Sequence, residues 1–294
     1  MSAIRVVGRS AIVTGAGQGL GRCHARALAG RGAMVLVNDV DGEAARVVVE
    51  EIRRDGGVAF AAAASVEDGA RIVDTALAQF DRIDIIVNNA GTLRDAAFHK
   101  MARRDWDDVL GVHLTGAFEV TRAAWPHLRN QGWGRILLTS SIAGVHGNFG
   151  QANYATAKLG LFGLAQTLAI EGAGYGIRVN AIAPLAASRL TEGVWPADVL
   201  ERLAPEHVAP LVLLLASDAC PARGQLFEAG GGGFAGLRWE RSRKVALPSD
   251  GESSPETLLR DWATLQAFDG DDHPSSVADG FGLAVPAGAG SRHG

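Results

Sequence analysis

The sequence predicts a doubly wound parallel α/β sheet with helices on both faces, one domain followed by a helical C-terminal extension. Three observations lead to that fold. Short apolar runs alternate with helical patterns through most of the chain, the order that builds βαβ units. The runs carry Ile83, Ile85, Ile86 and Val87 in near-continuous succession, as strands do when both sheet faces are covered. A glycine-rich stretch, Gly15-Ala16-Gly17-Gln18-Gly19-Leu20-Gly21, separates the first run from the first helical pattern.

The elements follow in order. Ser10 to Thr14 reads as a strand, and the helix after the glycines carries Cys23, Ala27 and Leu28. Strand, glycine loop and helix together form a dinucleotide-site signature: the turn lets backbone approach a pyrophosphate, and the helix N-terminus offers free N–H groups and a positive dipole end. Gly15, Gln18, Gly19, Leu20 and Gly21 are the candidate contacts. A second strand, Met34 to Asn38, ends at Asp39, a carboxylate placed to bond a ribose 2′-hydroxyl and repel a 2′-phosphate. Asp39 could otherwise cap the next helix, a task Asp41 serves equally well. With no basic residue at Ala16 or Val40, the expected cofactor is NAD.

Helices are expected over 43–54 and 67–79, strands over 58–63 and 83–88, and a long helix over 104–130. Asn88-Asn89-Ala90-Gly91 closes the fourth strand at the sheet's ligand-binding end, so Asn89, Ala90 and Gly91 are candidate cofactor contacts, and Ser65 and Val66 after the third strand face the adenine. A strand over 134–139 leads to Ser141, a helix runs to 172, and a strand covers 177–183. On that helix Tyr154 and Lys158 stand four apart, hence on one face. Lysine occurs only at Lys100, Lys158 and Lys244, and tyrosine only at Tyr154 and Tyr175, so a chance Tyr-x3-Lys has a probability of roughly 2%. A tyrosine has an ordinary pKa of ~10, and a nearby ammonium is expected to pull it down toward a usable base. Ser141 would hold the substrate oxygen beside the phenol.

In this order and spacing, Thr14-Gly15-x3-Gly19-x-Gly21, Asn88-Asn89-Ala90-Gly91, Ser141 and Tyr154-x3-Lys158 resemble the short-chain dehydrogenase/reductase family, with its Rossmann-like sheet. Leu93-Arg94-Asp95, Val112-His113-Leu114, Gly147 to Tyr154, Leu226-Phe227-Glu228 and Leu237 to Arg241 resemble the branch that oxidises (3R)-3-hydroxyacyl-CoA thioesters. The resemblance runs from about residue 5 to 276. It implies a catalytic set of Ser141, Tyr154 and Lys158, with Tyr154 and Lys158 also touching the nicotinamide ribose and Pro184 beside the nicotinamide. It further implies an acyl-CoA substrate, sterol side chains among the options, and a homodimer or homotetramer pairing the 104–130 and 153–172 helices. His113 stands where many members carry an asparagine on a proton path; it takes that role or serves as scaffold. Pro184-Leu185 replaces the usual Pro-Gly. A free 17β-hydroxysteroid or small ketone is the alternative substrate, and an NAD-binding regulatory module the alternative outside enzymes.

Residues 184–206 are expected to form a substrate-covering loop, 207–217 a helix and 224–236 a last strand. The main domain then spans 1–241, and 242–294 forms the extension. There Leu258, Leu259, Trp262, Leu265 and Phe268 recur at helical spacing over 255–268 behind Ser254-Pro255, a face expected to dock on the domain or on a partner subunit. The remainder is too rich in Gly, Ser, Pro and Ala to expect order. A formal charge of −4 leaves no footprint for nucleic acid. The two cysteines, Cys23 and Cys220, form no metal or disulfide pattern, and the other histidines have no metal-ligand spacing. No apolar stretch nears the ~20 residues of a membrane span, and the first strand begins too early for a signal peptide. The terminus Ser-Arg-His-Gly is no peroxisomal address, so a soluble, cytoplasmic protein is expected.

Overall fold

The computed structural model describes residues 4–186, 203–245, 254–270, 272–274 and 277–280. The chain divides into two compact units, Met1–Gly236 and Leu237–Gly294. The first holds an eight-stranded sheet of order β3-β2-β1-β4-β5-β6-β7-β8. Its strands are β1 (Ser10–Thr14), β2 (Met34–Asp39), β3 (Val58–Ala63), β4 (Ile85–Asn88), β5 (Gly134–Thr139), β6 (Ile177–Leu185), β7 (Leu226–Gly230) and β8 (Gly233–Leu237). Neighbouring strands from β3 through β7 pair in parallel. β1, β4 and β5 are buried at every position, as a sheet covered on both faces demands.

Helices α1 (Gly19–Gly30), α2 (Gly42–Arg54), α3 (Gly69–Phe80), α4 (Arg103–Leu110), α5 (Gly116–Gln131), α6 (Ile142–His146), α7 (Ala152–Gly172) and α8 (Ala209–Leu215) connect them. α1 packs against α2 and α8, α3 against α5, and α4 and α6 against α7. Strand order reverses between β1 and β4. At their carboxyl ends the Thr14 hydroxyl accepts from Asn89 N at 3.0 Å and Ala90 N at 3.1 Å, which ties the two ends together where this topology opens a crevice.

Three elements depart from the periodicity. The helix expected over 104–130 is interrupted by a π turn at Gly111–Thr115. Glycines bracket it because side chains there would strike neighbours: a Cβ on Gly111 would lie 2.8 Å from Glu67 Oε1, and one on Gly116 would collide with Val66. The stretch expected to be one strand over 224–236 folds as β7 and β8, because Gly231 and Gly232 both take positive φ. That pair is the two-residue turn that reverses a chain, and strands so joined pair antiparallel. The helix expected over 207–217 shortens to α8 behind a 3-10 turn at Pro205–His207.

Within the second unit, α9 (Pro255–Arg260), α10 (Trp262–Leu265) and α11 (Val277–Gly280) are short. Ser254 caps α9 by accepting from Thr257 N at 3.2 Å. The single helix expected over 255–268 breaks at Asp261, which leaves helical geometry at φ −96°, and Leu259, Trp262 and Phe268 stay exposed. Arg241–Asp272 and Arg243–Asp269 pairs hold this unit's strand-like and helical segments together. The covering loop expected at 184–206 and the tail beyond 280 lie largely or wholly outside the described residues. Among the described residues, no helix is long and apolar enough to cross a membrane, and no cluster of His, Cys, Asp or Glu is placed to hold a metal ion.

One core residue carries a measurable pH signature. His24 in α1 is fully buried with neither ring nitrogen hydrogen-bonded. Burial pushes its pKa from 6.5 down to about 4. A folded value below the unfolded one means that neutral His24 contributes stability above pH 6.5, and that this is lost as pH falls toward 4. The unfolding free energy of the wild type, measured by urea titration, should drop over that interval by on the order of 3 kcal/mol more than that of His24→Leu. Parallel curves for the two proteins would refute a buried neutral imidazole.

Candidate active site

A cleft of about 1240 Å³ runs along the carboxyl ends of the central strands. It is lined by Gly15, Gln18 and Leu20 from the glycine loop, Asp39 after β2, Ser65 and Val66 after β3, and Asn89, Ala90 and Gly91 after β4. Ser141, Tyr154, Lys158 and Pro184 line it too, as does His113.

The glycine loop is packed tightly below and open above. A Cβ on Gly15 would sit 2.7 Å from Ala90 Cα, one on Gly17 2.9 Å from Asp39 Oδ2, and one on Gly21 would strike the Gly15 carbonyl. Gly19, at φ +55°, has nothing within 4 Å of its Cβ position. Gln18 gives α1 no side-chain cap, and the helix's first turn carries no acid, so its orphan N–H groups and dipole stand ready for an anion. Asp39 closes the loop from the side, accepting from Gly17 N at 2.9 Å and Asp41 N at 3.0 Å. Asp41 caps α2 by accepting from Glu43 N and Ala44 N, so Asp39 is not needed as that cap. The Asn89 side-chain amide donates to the Thr14 and Gly15 carbonyls at 3.1 Å each, so it shapes the loop. These groups fit a dinucleotide: a nest for two phosphates, a carboxylate for a ribose diol, and small side chains between. The cationic side chains lining the cleft are Arg94 and Lys158, both away from Asp39, which leaves a 2′-phosphate unmatched there.

At the far end, Ser141 is the N-cap of α6, its hydroxyl accepting from Ala143 N at 3.2 Å. α6 sits close on α7 because residue 144 is glycine; a Cβ there would lie 2.9 Å from Lys158 Cβ. This brings Ser141 into hydrogen bond with the Tyr154 phenol. Lys158 is buried, donates from Nζ to the Thr139 carbonyl at 2.5 Å, and stands 5.5 Å from the Tyr154 ring centre. With no carboxylate beside it, burial lowers its pKa to about 7. The expected depression of the tyrosine does not occur in the protein alone. Burial raises the Tyr154 pKa, the Ser141 hydrogen bond opposes that rise, and the Asp95 charge adds to it. An amine that is half neutral near pH 7 is a weaker electrostatic partner than the standing ammonium assumed from sequence.

His113 projects from the π turn with its ring edge-on to Tyr154, centres 5.2 Å apart. Its Nε2 lies 2.7 Å from the Thr92 carbonyl and 3.0 Å from Thr92 N. Gly91 is required beneath it, since any Cβ there would strike the imidazole. Burial first, and then the Lys158 charge, lower the His113 pKa to about 3, which keeps the ring neutral at ordinary pH. Asn88, His113, Thr139 and Lys158 are among the residues lining a small cavity of about 10 Å³, close to the space of one water.

Two residues that hold this end together escaped the sequence. Asn153 is fully buried; its amide donates to the carbonyls of Arg94 and Asp105, and its Oδ1 accepts from Tyr154 N at 2.8 Å. A polar residue directly before Tyr154, on the helix side facing the core, was the available signal. Asp95 was visible only within the resemblance of Leu93-Arg94-Asp95, with no role attached, because the fold alone brings the loop after β4 beside α7.

Residues 9–195 match the short chain dehydrogenase family. The chain is 49% identical over 294 residues to the peroxisomal multifunctional enzyme type 2 of Mus musculus, covering 97% of this chain and 40% of that protein. The structure of the full-length peroxisomal multifunctional enzyme type 2 from Drosophila melanogaster superimposes with a TM-score of 0.84 at 39% identity, over 95% of this chain and 49% of that one. A 7α-hydroxysteroid dehydrogenase solved with NADH and 7-oxo glycochenodeoxycholic acid has a TM-score of 0.73 at 30% identity, over 79% of this chain and 98% of that one. The chain thus spans under half the length of the two multifunctional relatives. Their names place them in peroxisomes, which overturns the cytoplasmic expectation. That expectation rested on the terminus Ser-Arg-His-Gly, which matches no peroxisomal address, and on cysteine usage, which reports redox environment and carries no address.

Asp39 gives the cleft its test. Asp39→Asn should narrow the preference for NADH over NADPH, read as Kd by nucleotide fluorescence, by about tenfold, the worth of one charge repulsion at short range. An unchanged ratio would remove Asp39 from the ribose site.

Proposed function

The chain belongs to the short-chain dehydrogenase family, an NAD-dependent oxidoreductase family, and on that premise we propose that it oxidises a (3R)-3-hydroxyacyl-CoA to the 3-ketoacyl-CoA. The observation that carries the chemistry is the convergence of Ser141, Tyr154 and Lys158 at one end of a cleft whose other end fits a dinucleotide. The substrate class is supported by 49% identity along the chain to a peroxisomal multifunctional enzyme and by the resemblance of the 93–95, 147–154 and 226–241 segments.

In this reading the glycine loop and the α1 N-terminus bind the pyrophosphate, and Asp39 the adenosine ribose. Ser65 and Val66 flank the adenine; Asn89, Ala90, Gly91 and Pro184 border the nicotinamide side. Bound NAD supplies the hydride acceptor. Ser141 donates to the substrate oxygen and aligns the carbinol, and Tyr154 accepts the hydroxyl proton as general base. Lys158, with a pKa near 7, is poised both to steady a phenolate and to take up a proton. His113, held neutral, positions Tyr154 and the turn at Gly91-Thr92. The small polar cavity beneath Lys158 offers the proton a route inward. The main domain is read as residues 1–241 with an extension over 242–294. Phe118 on α5 and Leu159 and Ile170 on α7 are exposed, and a homodimer or homotetramer would cover them, a state that light scattering after gel filtration reports directly.

The assay is NADH formation at about 340 nm with (3R)- and (3S)-3-hydroxyacyl-CoA of several chain lengths, a sterol-side-chain thioester and a free 17β-hydroxysteroid. Turnover of the (3R) thioesters alone is expected, and turnover of the steroid alone would overturn the substrate. Tyr154→Phe should lower turnover by a factor of ~10² or more with NADH affinity unchanged. Near-normal turnover in that variant would end its assignment as the base.

A further inference from the structure

The loop after β4 carries a carboxylate to the substrate side of Tyr154 and fixes it there. Arg94 is pinned through its carbonyl by Asn153 at 3.1 Å, and Ala96 N donates to the Gly150 carbonyl at 2.9 Å. Between them, Asp95 Oδ2 accepts from Gln151 Nε2 at 2.8 Å, and Gln151 Oε1 in turn accepts from Asn148 at 2.9 Å. Gln151 is the N-cap residue of α7, three positions ahead of Tyr154. Asp95 is therefore held by its two neighbours' backbone and by its own side chain, and it lines the cleft together with Ser141 and Tyr154.

Its charge is not cancelled. Among the described residues Asp95 has no ion-pair partner, and the group bonding it is a neutral amide. The nearby cation, Arg94, has its Nε 4.0 Å from Asp108, and Asp107 is paired with Arg103 at 2.8 Å. Beneath the phenol stand neutral His113 and Lys158, the latter turned to the Thr139 carbonyl. Asp39 and Glu67 lie toward the dinucleotide end. Asp95 is thus a carboxylate without an ion-pair partner among the described residues, at the exposed rim of the cleft that Ser141 and Tyr154 also line.

We propose that Asp95 is a selectivity residue that repels substrates bearing a carboxylate two carbons from the carbinol carbon, and so restricts the site to 3-hydroxyacyl groups uncharged at C1. In a free 3-hydroxy acid the C1 carboxylate is two carbons from the reacting carbon. With the hydroxyl between Ser141 and Tyr154, that carboxylate has to enter the pocket that Asp95 lines. Joining C1 to a thiol or alcohol removes the charge and leaves the rest of the substrate unchanged. The same field acts on the base, since the Asp95 charge contributes to the raised Tyr154 pKa. This inference rests on the proposed 3-hydroxyacyl chemistry and specifies how that site chooses among 3-hydroxy compounds.

The experiment compares (R)-3-hydroxybutyrate, its methyl ester and its CoA thioester in the wild type, Asp95→Asn and Asp95→Glu. Asparagine keeps an acceptor for Gln151 and removes the charge. The wild type should favour both forms that are uncharged at C1, of which the methyl ester is neutral throughout. Asp95→Asn should raise kcat/KM for the free acid about fivefold, the size of a charge repulsion across roughly 8 Å of partly wetted cleft, and, at pH above the acid limb, leave the ester and the thioester within about twofold. Asp95→Glu should restore the discrimination. The gain should shrink at about 1 M salt, where screening acts within ~3 Å, and the acid limb of the pH profile should move to lower pH in Asp95→Asn. An unchanged acid-to-ester ratio, or one independent of salt, overturns the proposal. If the methyl ester is oxidised and the thioester is not, the acyl-CoA reading falls, while the acid-to-ester ratio still decides the role of Asp95.

Discussion

The site depends on the burial of one amine. Lys158 lies within the packed interface of β5, α6 and α7, its ammonium bonded to the Thr139 carbonyl and its own carbonyl accepting from the Ser140 hydroxyl at 2.6 Å. These two bonds fasten the end of β5 to the second turn of the catalytic helix and leave Ser141, the next residue, opposite the phenol. A buried amine without a carboxylate carries a desolvation cost that its charge cannot recover, hence its low pKa. The base pair of Tyr154 and Lys158 is best understood as an unfinished electrostatic system, complete only when a cofactor and a substrate add their own charges and hydrogen bonds.

What the sequence revealed was whatever chemistry is local along the chain. The glycine loop, the acidic end of β2 and the four-residue step from Tyr154 to Lys158 each compress a spatial relation into short spacing, so each could be read directly. The strands β1 to β6 were legible because a parallel sheet covered on its faces draws on short, mainly apolar runs such as Ile85 to Val87 and Ile136 to Leu138. The fold's exceptions were hidden for an equally physical reason. The π turn at Gly111–Thr115 arises from contacts between α5 and the Val66-Glu67 loop, residues some fifty positions apart in the chain, and periodicity has no term for such contacts. The β7–β8 hairpin left a mark, two adjacent glycines, that is indistinguishable in composition from the glycine-rich segment around it.

The direction of the Tyr154 pKa is the clearest instance of a site property that no motif carries. Sequence spacing puts a cation near a phenol, and the simplest electrostatics then lowers the phenol's pKa. Depth in the protein reverses that sign, because desolvation acts on both partners and makes each prefer its neutral form. The buried Asn153 tells the same story from the packing side. Two of its three hydrogen bonds reach segments far apart in sequence, and its identity becomes intelligible only once the loop after β4 is seen lying on α7.

Gly91 and His113 interlock across the cleft floor. The imidazole fills the space in which any side chain at position 91 would begin, so the two positions form a single steric unit across β4 and the π turn. Substitutions at the two positions are consequently ordered: with His113 in place a side chain at position 91 meets the ring, so the route that enlarges 91 runs through a smaller residue at 113 first. A smaller residue at 113 is therefore the gateway through which this cleft floor can be remodelled at all, whether by natural drift or by design.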